Sequence, residues 1–238
     1  MNNVSWAQRL LLIALFATLL TSCSSDDSDG SSLRLSVSAT TGNSPVASIQ
    51  KINDHVIFTD FKFSIRDVVF KNDNDPNSNL DTEEIQFRGP YQIDLLDNGD
   101  AITQTIGQAN VPDGLYKELR FKFHKDEDLP ITDDLYDKSI YIEGTVNDVP
   151  FVFWHDTSEN LDVGRSTGVE VVNGNVQFTV TFDISQFLNS LNTIDLTEAR
   201  DGNENGVIEI NPNDEDGNQE IAKDLKDNIK ATADLINQ

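Results

Sequence analysis

The stretch from Val56 to Phe70 sets the tightest limit on the fold. Phe61, Phe63 and Ile65 alternate there with Lys62, Ser64 and Arg66. Successive side chains of an extended strand point to opposite faces. Such alternation therefore marks a strand with one face in a core and the other toward solvent. Leu33 to Ala39 repeats the pattern. Further apolar runs of strand length cover 85–87, 91–96, 115–123, 139–146, 149–155 and 176–182. Gly, Pro, Asn and Asp gather between them, as turns require. Asn173-Gly174, set between Val169–Val172 and Asn175–Phe178, predicts a two-residue hairpin. No helical period precedes Ser185, so a βαβ design is not expected, and no internal repeat is present. Many short strands imply a sandwich or barrel.

Some of these segments resemble a family of bacterial lipoproteins with a transthyretin-like β-sandwich and no assigned function. The resemblance rests on Phe87 to Leu96, which ends Ile93-Asp94-Leu95-Leu96, and on Val111-Pro112-Asp113-Gly114-Leu115-Tyr116 leading to Arg120-Phe121. The strand Phe178 to Asp183 is a further match. The likeness spans roughly residues 33–191. It implies a sandwich in the cell envelope and no catalytic chemistry.

The N-terminus is consistent with that location. Arg9 precedes the apolar run Leu10 to Ala17, continued by Thr18-Leu19-Leu20. The run is short for a bilayer-spanning helix, which needs about 20 apolar residues, and suits an export signal. Leu20-Thr21-Ser22-Cys23 resembles the lipobox of bacterial lipoproteins, which implies a lipidated Cys23 and removal of residues 1–22. Cys23 is the single cysteine, so no intrachain disulfide is available and lipidation accounts for the thiol. Residues 23–32 read as a flexible acidic tether. An acidic stretch at this place resembles the surface-export signal of Bacteroidota lipoproteins. It implies a protein on the outer membrane facing the cell surface, with the periplasmic face as the alternative.

The most chemical stretch lies near the other end. Asp201-Gly202-Asn203-Glu204-Asn205-Gly206-Val207-Ile208-Glu209 resembles an EF-hand loop. By that resemblance Asp201, Asn203, Asn205, the Val207 carbonyl and Glu209 would offer the hard oxygens that calcium takes. Pro212 stands where the family has a bidentate Glu. Asp214, Asp216 or Glu220 would have to replace it. Seven acids and no Lys or Arg lie between Asp201 and Glu220, a density that calls for a cation. A solvated Asx-rich turn is the competing reading. Ile221, Leu225, Ile229, Ala233 and Ile236 predict a helix running to the C-terminus. Asp216 with Gln219 predicts a capping box, and Ser185 to Leu191 a short helix. A second acidic stretch, Asn72 to Asn79, lacks the glycine and spacing of a calcium loop and reads as a solvated hairpin tip.

The overall expectation is a mainly β chain. It comprises an antiparallel β-sandwich over 33–196 and a C-terminal calcium-loop and helix appendage over 197–238. A formal net charge of −24 argues against nucleic acid as a partner. No nucleophile elbow, phosphate loop or paired-His zinc motif is present, so the expectation is a non-enzyme. An unidentified surface protein is one partner class. A glycan stacked on Trp154, Tyr91 or Tyr141 is another. The one patch to weigh for catalysis or metal is His155 with Asp156 and Glu159. Soft-metal traffic is poorly served, because Met1 is the single methionine.

Overall fold

The computed structural model describes residues 31–41, 44–45, 55–72, 84–172 and 174–237. Cys23, the export signal, most of the tether and residues 73–79 lie outside the described residues. The strands are β1 (Ser31–Thr41), β2 (Ser44–Pro45), β3 (Val56–Asn72), β4 (Glu84–Asp97), β5 (Asp100–Ala101), β6 (Thr103–Val111), β7 (Gly114–Phe123), β8 (Ile140–Val146), β9 (Val149–His155), β10 (Asn160–Val171), β11 (Asn175–Asp183) and β12 (Ile208–Ile210). A helix α1 (Gln219–Thr232) and a last strand β13 (Ala233–Asn237) follow.

The central element is β3, and its apolar spacing explains its shape. Val56, Phe58, Phe61, Phe63, Ile65, Val68 and Phe70 are all buried. A spacing of three occurs twice, at 58–61 and 65–68, and would turn the following residues outward in a regular strand. The pairing register of β3 shifts at both places, between Phe58 and Asp60 and between Ile65 and Asp67. Each bulge absorbs one extra residue, so every apolar side chain stays on the core face. Along one edge β3 pairs with β4, and along the other with β8 and then β7. β10 extends the sheet beyond β7, and β9 and β12 extend it beyond β8.

The second sheet runs β13-β11-β1-β2, with β6 also beside β1. Leu33, Leu35 and Val37 of β1 and Phe178, Val180 and Phe182 of β11 are buried facing the first sheet. The rings of Phe63 and Phe182 lie 5.1 Å apart, and those of Phe70 and Phe178 5.6 Å apart. The mainly β sandwich is thus observed, with two parallel pairings in it, β1 with β11 and β12 with β9.

Three local expectations fail. The Asn173-Gly174 hairpin does not form: β10 pairs with β7 in one sheet, while β11 joins β1 in the other. Turn chemistry is local, and the burial of two apolar faces on different sheets overrides it. The C-terminal helix stops at Thr232, and Ala233–Asn237 pairs with β11 instead. Residues at helical spacing can also serve a strand where an open sheet edge offers hydrogen bonds. The expected helix over 185–191 is a single 3-10 turn, Ile184–Gln186, with the Asp183 carboxylate accepting from Ser185 N at 3.0 Å.

Where β4 of one sheet lies beside β6 of the other, a side chain bridges them. Gln104 on β6 faces inward, opposite Val37. Its amide donates to Gln92 O at 2.7 Å and accepts from Asp94 N at 3.0 Å. It thereby completes the ladder of β4 as a neighbouring strand would. Replacing Gln104 with Leu should destabilise the protein by about 1 kcal/mol. Urea denaturation of native and variant chains measures this, and an unchanged midpoint would show that the bridge contributes nothing.

Candidate functional site

The Asp201–Glu209 loop leads into β12, and the 211–218 segment then joins β12 to α1. Arg200 and Glu209 are held together by buried Asn218. Its amide donates to Arg200 O at 2.8 Å and Glu209 O at 2.9 Å, and its oxygen accepts from Arg200 N. The Asp216 carboxylate is 3% exposed and accepts from Asn203 N at 3.0 Å and Glu209 N at 2.7 Å. Glu209 therefore has both backbone groups on side chains. Ile208 and Ile210, its neighbours, flank it in the pairing with β9. Asp216 and Asn218 occupy the outer edge of β12 that a further strand would use. Gly202 is required here, because a Cβ at that position would lie 2.5 Å from Asp216 O.

Within the loop the predicted ligands come together. The two Asp201 oxygens accept from Asn205 N at 3.0 Å and Gly206 N at 2.7 Å. Asn203 Oδ1 accepts from Asn205 N, and Asn205 Oδ1 accepts from Val207 N. The amides of Asn203 and Asn205 both donate to Glu209 Oε2, at 2.6 and 3.3 Å. Gly206 has φ +93°, so the chain turns there in a way a side chain would resist. Carboxylate and amide oxygens accept more than one bond, so those engaged by backbone N–H groups retain a lone pair. A cation placed among Asn203, Asn205 and Glu209 would replace the two amide-to-carboxylate bonds. The donor set of Asp201, Asn203, Asn205, Glu209 and the Val207 carbonyl is the hard-oxygen chemistry that calcium takes. Two of its four side chains are amides. Among the described residues, no group of three or more His, Cys, Asp and Glu side chains is placed to hold a metal.

Asp214 and Asp216 serve other contacts. Asp214 Oδ1 accepts from Gln219 N at 2.8 Å, at the start of α1. The capping box is accordingly absent: Asp216 turns to the loop, and Gln219 Nε2 donates to Pro212 O at 2.8 Å. Sequence reading also missed Asn228. It is fully buried on α1 and bonds Phe187 O, Asn192 O and Asn192 N, holding the 187–192 segment to the helix. Its place on the apolar stripe of the helix was the available signal.

The aromatic residues weighed for glycans are engaged. Tyr141 is 6% exposed and gives its hydroxyl to Glu143. The ammonium groups of Lys138 and Lys62 lie over its ring at 5.3 and 6.0 Å. Tyr91 packs on the core, and Trp154 is half-buried. His155 ends β9 beside α1. Its Nδ1 is buried without a hydrogen-bond partner, with the Asp156 carboxylate 3.6 Å away. Burial holds its pKa below the ordinary value. Asp156 and Asp227 oppose that shift, and Lys226 adds to it. Glu159 meanwhile pairs with Lys226 at 2.6 Å and with Lys230, tying the segment after β9 to α1.

Comparison with protein-family models, curated proteins and solved structures yields no match.

Two outcomes are expected. Asp216→Ala removes the acceptor from two N–H groups and should cost about 1–3 kcal/mol, with Asp216→Asn costing less because one acceptor remains. Denaturant melts test this, and equal stability of all three chains would refute it. The depressed pKa of His155 means that the unfolded chain takes the proton first as pH falls. Stability should decline once pH drops through about 6.5 and level off below the folded pKa. His155→Gln should lose less stability than the native chain over that window, as measured by melts at a series of pH values. Parallel pH profiles would dismiss the effect.

Proposed function

We propose that this chain is an exported lipoprotein of the bacterial outer membrane. It would be anchored through lipid on Cys23, carry no catalytic activity, and present a β-sandwich stabilised by calcium as a binding module. The observation that carries the calcium part is the meeting of the Asn203, Asn205 and Glu209 side chains at one point, with Asp201 held on the N–H groups of Asn205 and Gly206. Asp201, Asn203, Asn205, Glu209 and the Val207 carbonyl would hold the ion. Bound there, calcium would neutralise the loop and restrain its entry into β12. The unit from β12 to β13 joins both sheets, because β12 lies on β9 and β13, after α1, lies on β11. The anchor reading is supported by Leu20-Thr21-Ser22-Cys23 and the acidic residues after it. Several buried acyl chains, each contributing about 0.8 kcal/mol per CH₂, hold a protein at a membrane durably. Among the described residues no helix is long and apolar enough to cross a membrane.

The test is calorimetry of the purified chain in CaCl₂ and in EDTA. Calcium at a hundredfold excess over its Kd contributes about 2.7 kcal/mol, which for a chain of this size raises Tm by about 5–10 °C. Glu209→Gln should shrink that rise. The same Tm in both conditions would remove the metal. Separately, expression of Cys23→Ala should abolish incorporation of labelled palmitate, and retained label would remove the anchor.

A further inference from the structure

The outer face of the sheet containing β1 carries a different arrangement, remote in sequence from the acidic loop. β1 lies between β6 and β11, and Arg34 is in register with Gln108 on one side and Gln177 on the other. One residue pair further along, Ser32 is opposite Asn175. Neighbouring strands lie about 4.8 Å apart and same-face residues about 6.6 Å apart, so these side chains cover roughly 10 by 7 Å. That is the footprint of one pyranose ring. Ser32, Arg34, Gln108, Asn175, Val176 and Gln177 line a cleft of about 320 Å³. Arg34, Gln108 and Asn175 are exposed, so their polar groups are within reach of a ligand. Two hydrogen bonds position the walls: Arg34 Nη2 donates to Thr105 Oγ1 at 2.9 Å, and Gln108 Nε2 donates to Ser32 Oγ at 2.5 Å.

The chemistry of this lining departs from that of the chain around it. Among the described residues no carboxylate lines the cleft, although acids outnumber bases 41 to 17. Among the described residues the hydrogen bond of Arg34 goes to a hydroxyl and not to an acid. A guanidinium presents a planar fork that matches a carboxylate. Each of the three amides both donates and accepts, as the hydroxyls of a sugar do. Among the described residues Val176 is the single apolar one in the lining, so a lipid or an aromatic ligand finds little to pack on there, and a divalent cation finds no anionic ligand among them.

We propose that this cleft binds one acidic sugar unit, a uronic acid, with its carboxylate on Arg34 and its ring hydroxyls on Gln108, Asn175 and Gln177. The site depends neither on calcium nor on the lipid anchor. It is tested by titration calorimetry on the full chain with glucuronate, glucose and acetate as separate probes. Glucuronate should bind, with glucose and acetate each weaker by about tenfold or more, since each probe lacks one half of the contacts. Arg34→Gln should weaken glucuronate by about tenfold and leave Tm unchanged, while Gln177→Ala should weaken glucuronate and glucose together. Three results would overturn the proposal. They are no heat from glucuronate up to about 10 mM, acetate binding as tightly as glucuronate, and Arg34→Gln binding glucuronate like the native chain.

Discussion

The structure depends on an aromatic seam between β3 and the segment from β11 to Phe187. Phe63 meets Phe182, Phe70 stacks on Phe178, and Phe58 and Phe61 both meet Phe187 at 5.8 and 5.5 Å. Loss of one such ring costs about 3–5 kcal/mol, a large share of the stability of any domain. The seam also sets geometry. β3 carries β4, β7 and β8 on its two edges, and β11 carries β1 and β13. Seating the rings therefore fixes the registers of both sheets. The two bulges of β3 exist because the ring-bearing positions do not keep a strict period of two.

Around that seam, polar side chains finish what backbone pairing leaves open. Gln104 stands in for a strand beside β4, and Asp216 with Asn218 does so beside β12. Asn228 meets the backbone of the 187–192 segment within the core. In each case an amide or carboxylate satisfies main-chain groups that would otherwise be buried or offered to another chain. This divides the acidic stretch near the C-terminus into two sets. Asp216 and Asn218 tie the backbone. Asp201, Asn203, Asn205 and Glu209 face one another across the loop, and the proposed calcium concerns that second set.

Much of the fold was legible in the sequence, because burial leaves a local trace. The alternation in β1 and β3 marked core faces correctly, the runs at 139–146 and 176–182 marked β8 and β11 as strands, and the gathering of acids and amides at 201–209 marked a loop. β6 was not legible. Thr103–Val111 is largely polar, and it is a strand because β1 offers it an open edge. The slip in β7 was also hidden. Tyr116 is buried together with Leu119, Phe121 and Phe123, which breaks the period of two, and the pairing skips Lys117 against β3 and β10 alike.

By itself the sequence determined which residues seek a core, where hard oxygen donors accumulate, and that the chain has one thiol with nothing to pair it. These are properties of composition and of periods of two or three residues. Tertiary structure decided the rest. It placed β10 and β11 in different sheets despite an Asn-Gly between them. It ended α1 at Thr232 to give β11 an edge partner, and turned Asp216 from a possible ligand into a tie for β12. It also set Arg34 among three amides drawn from β6 and β11. Each of those outcomes depends on hydrogen-bonding edges and faces supplied by residues tens of positions away, and such partners leave no trace in a local pattern.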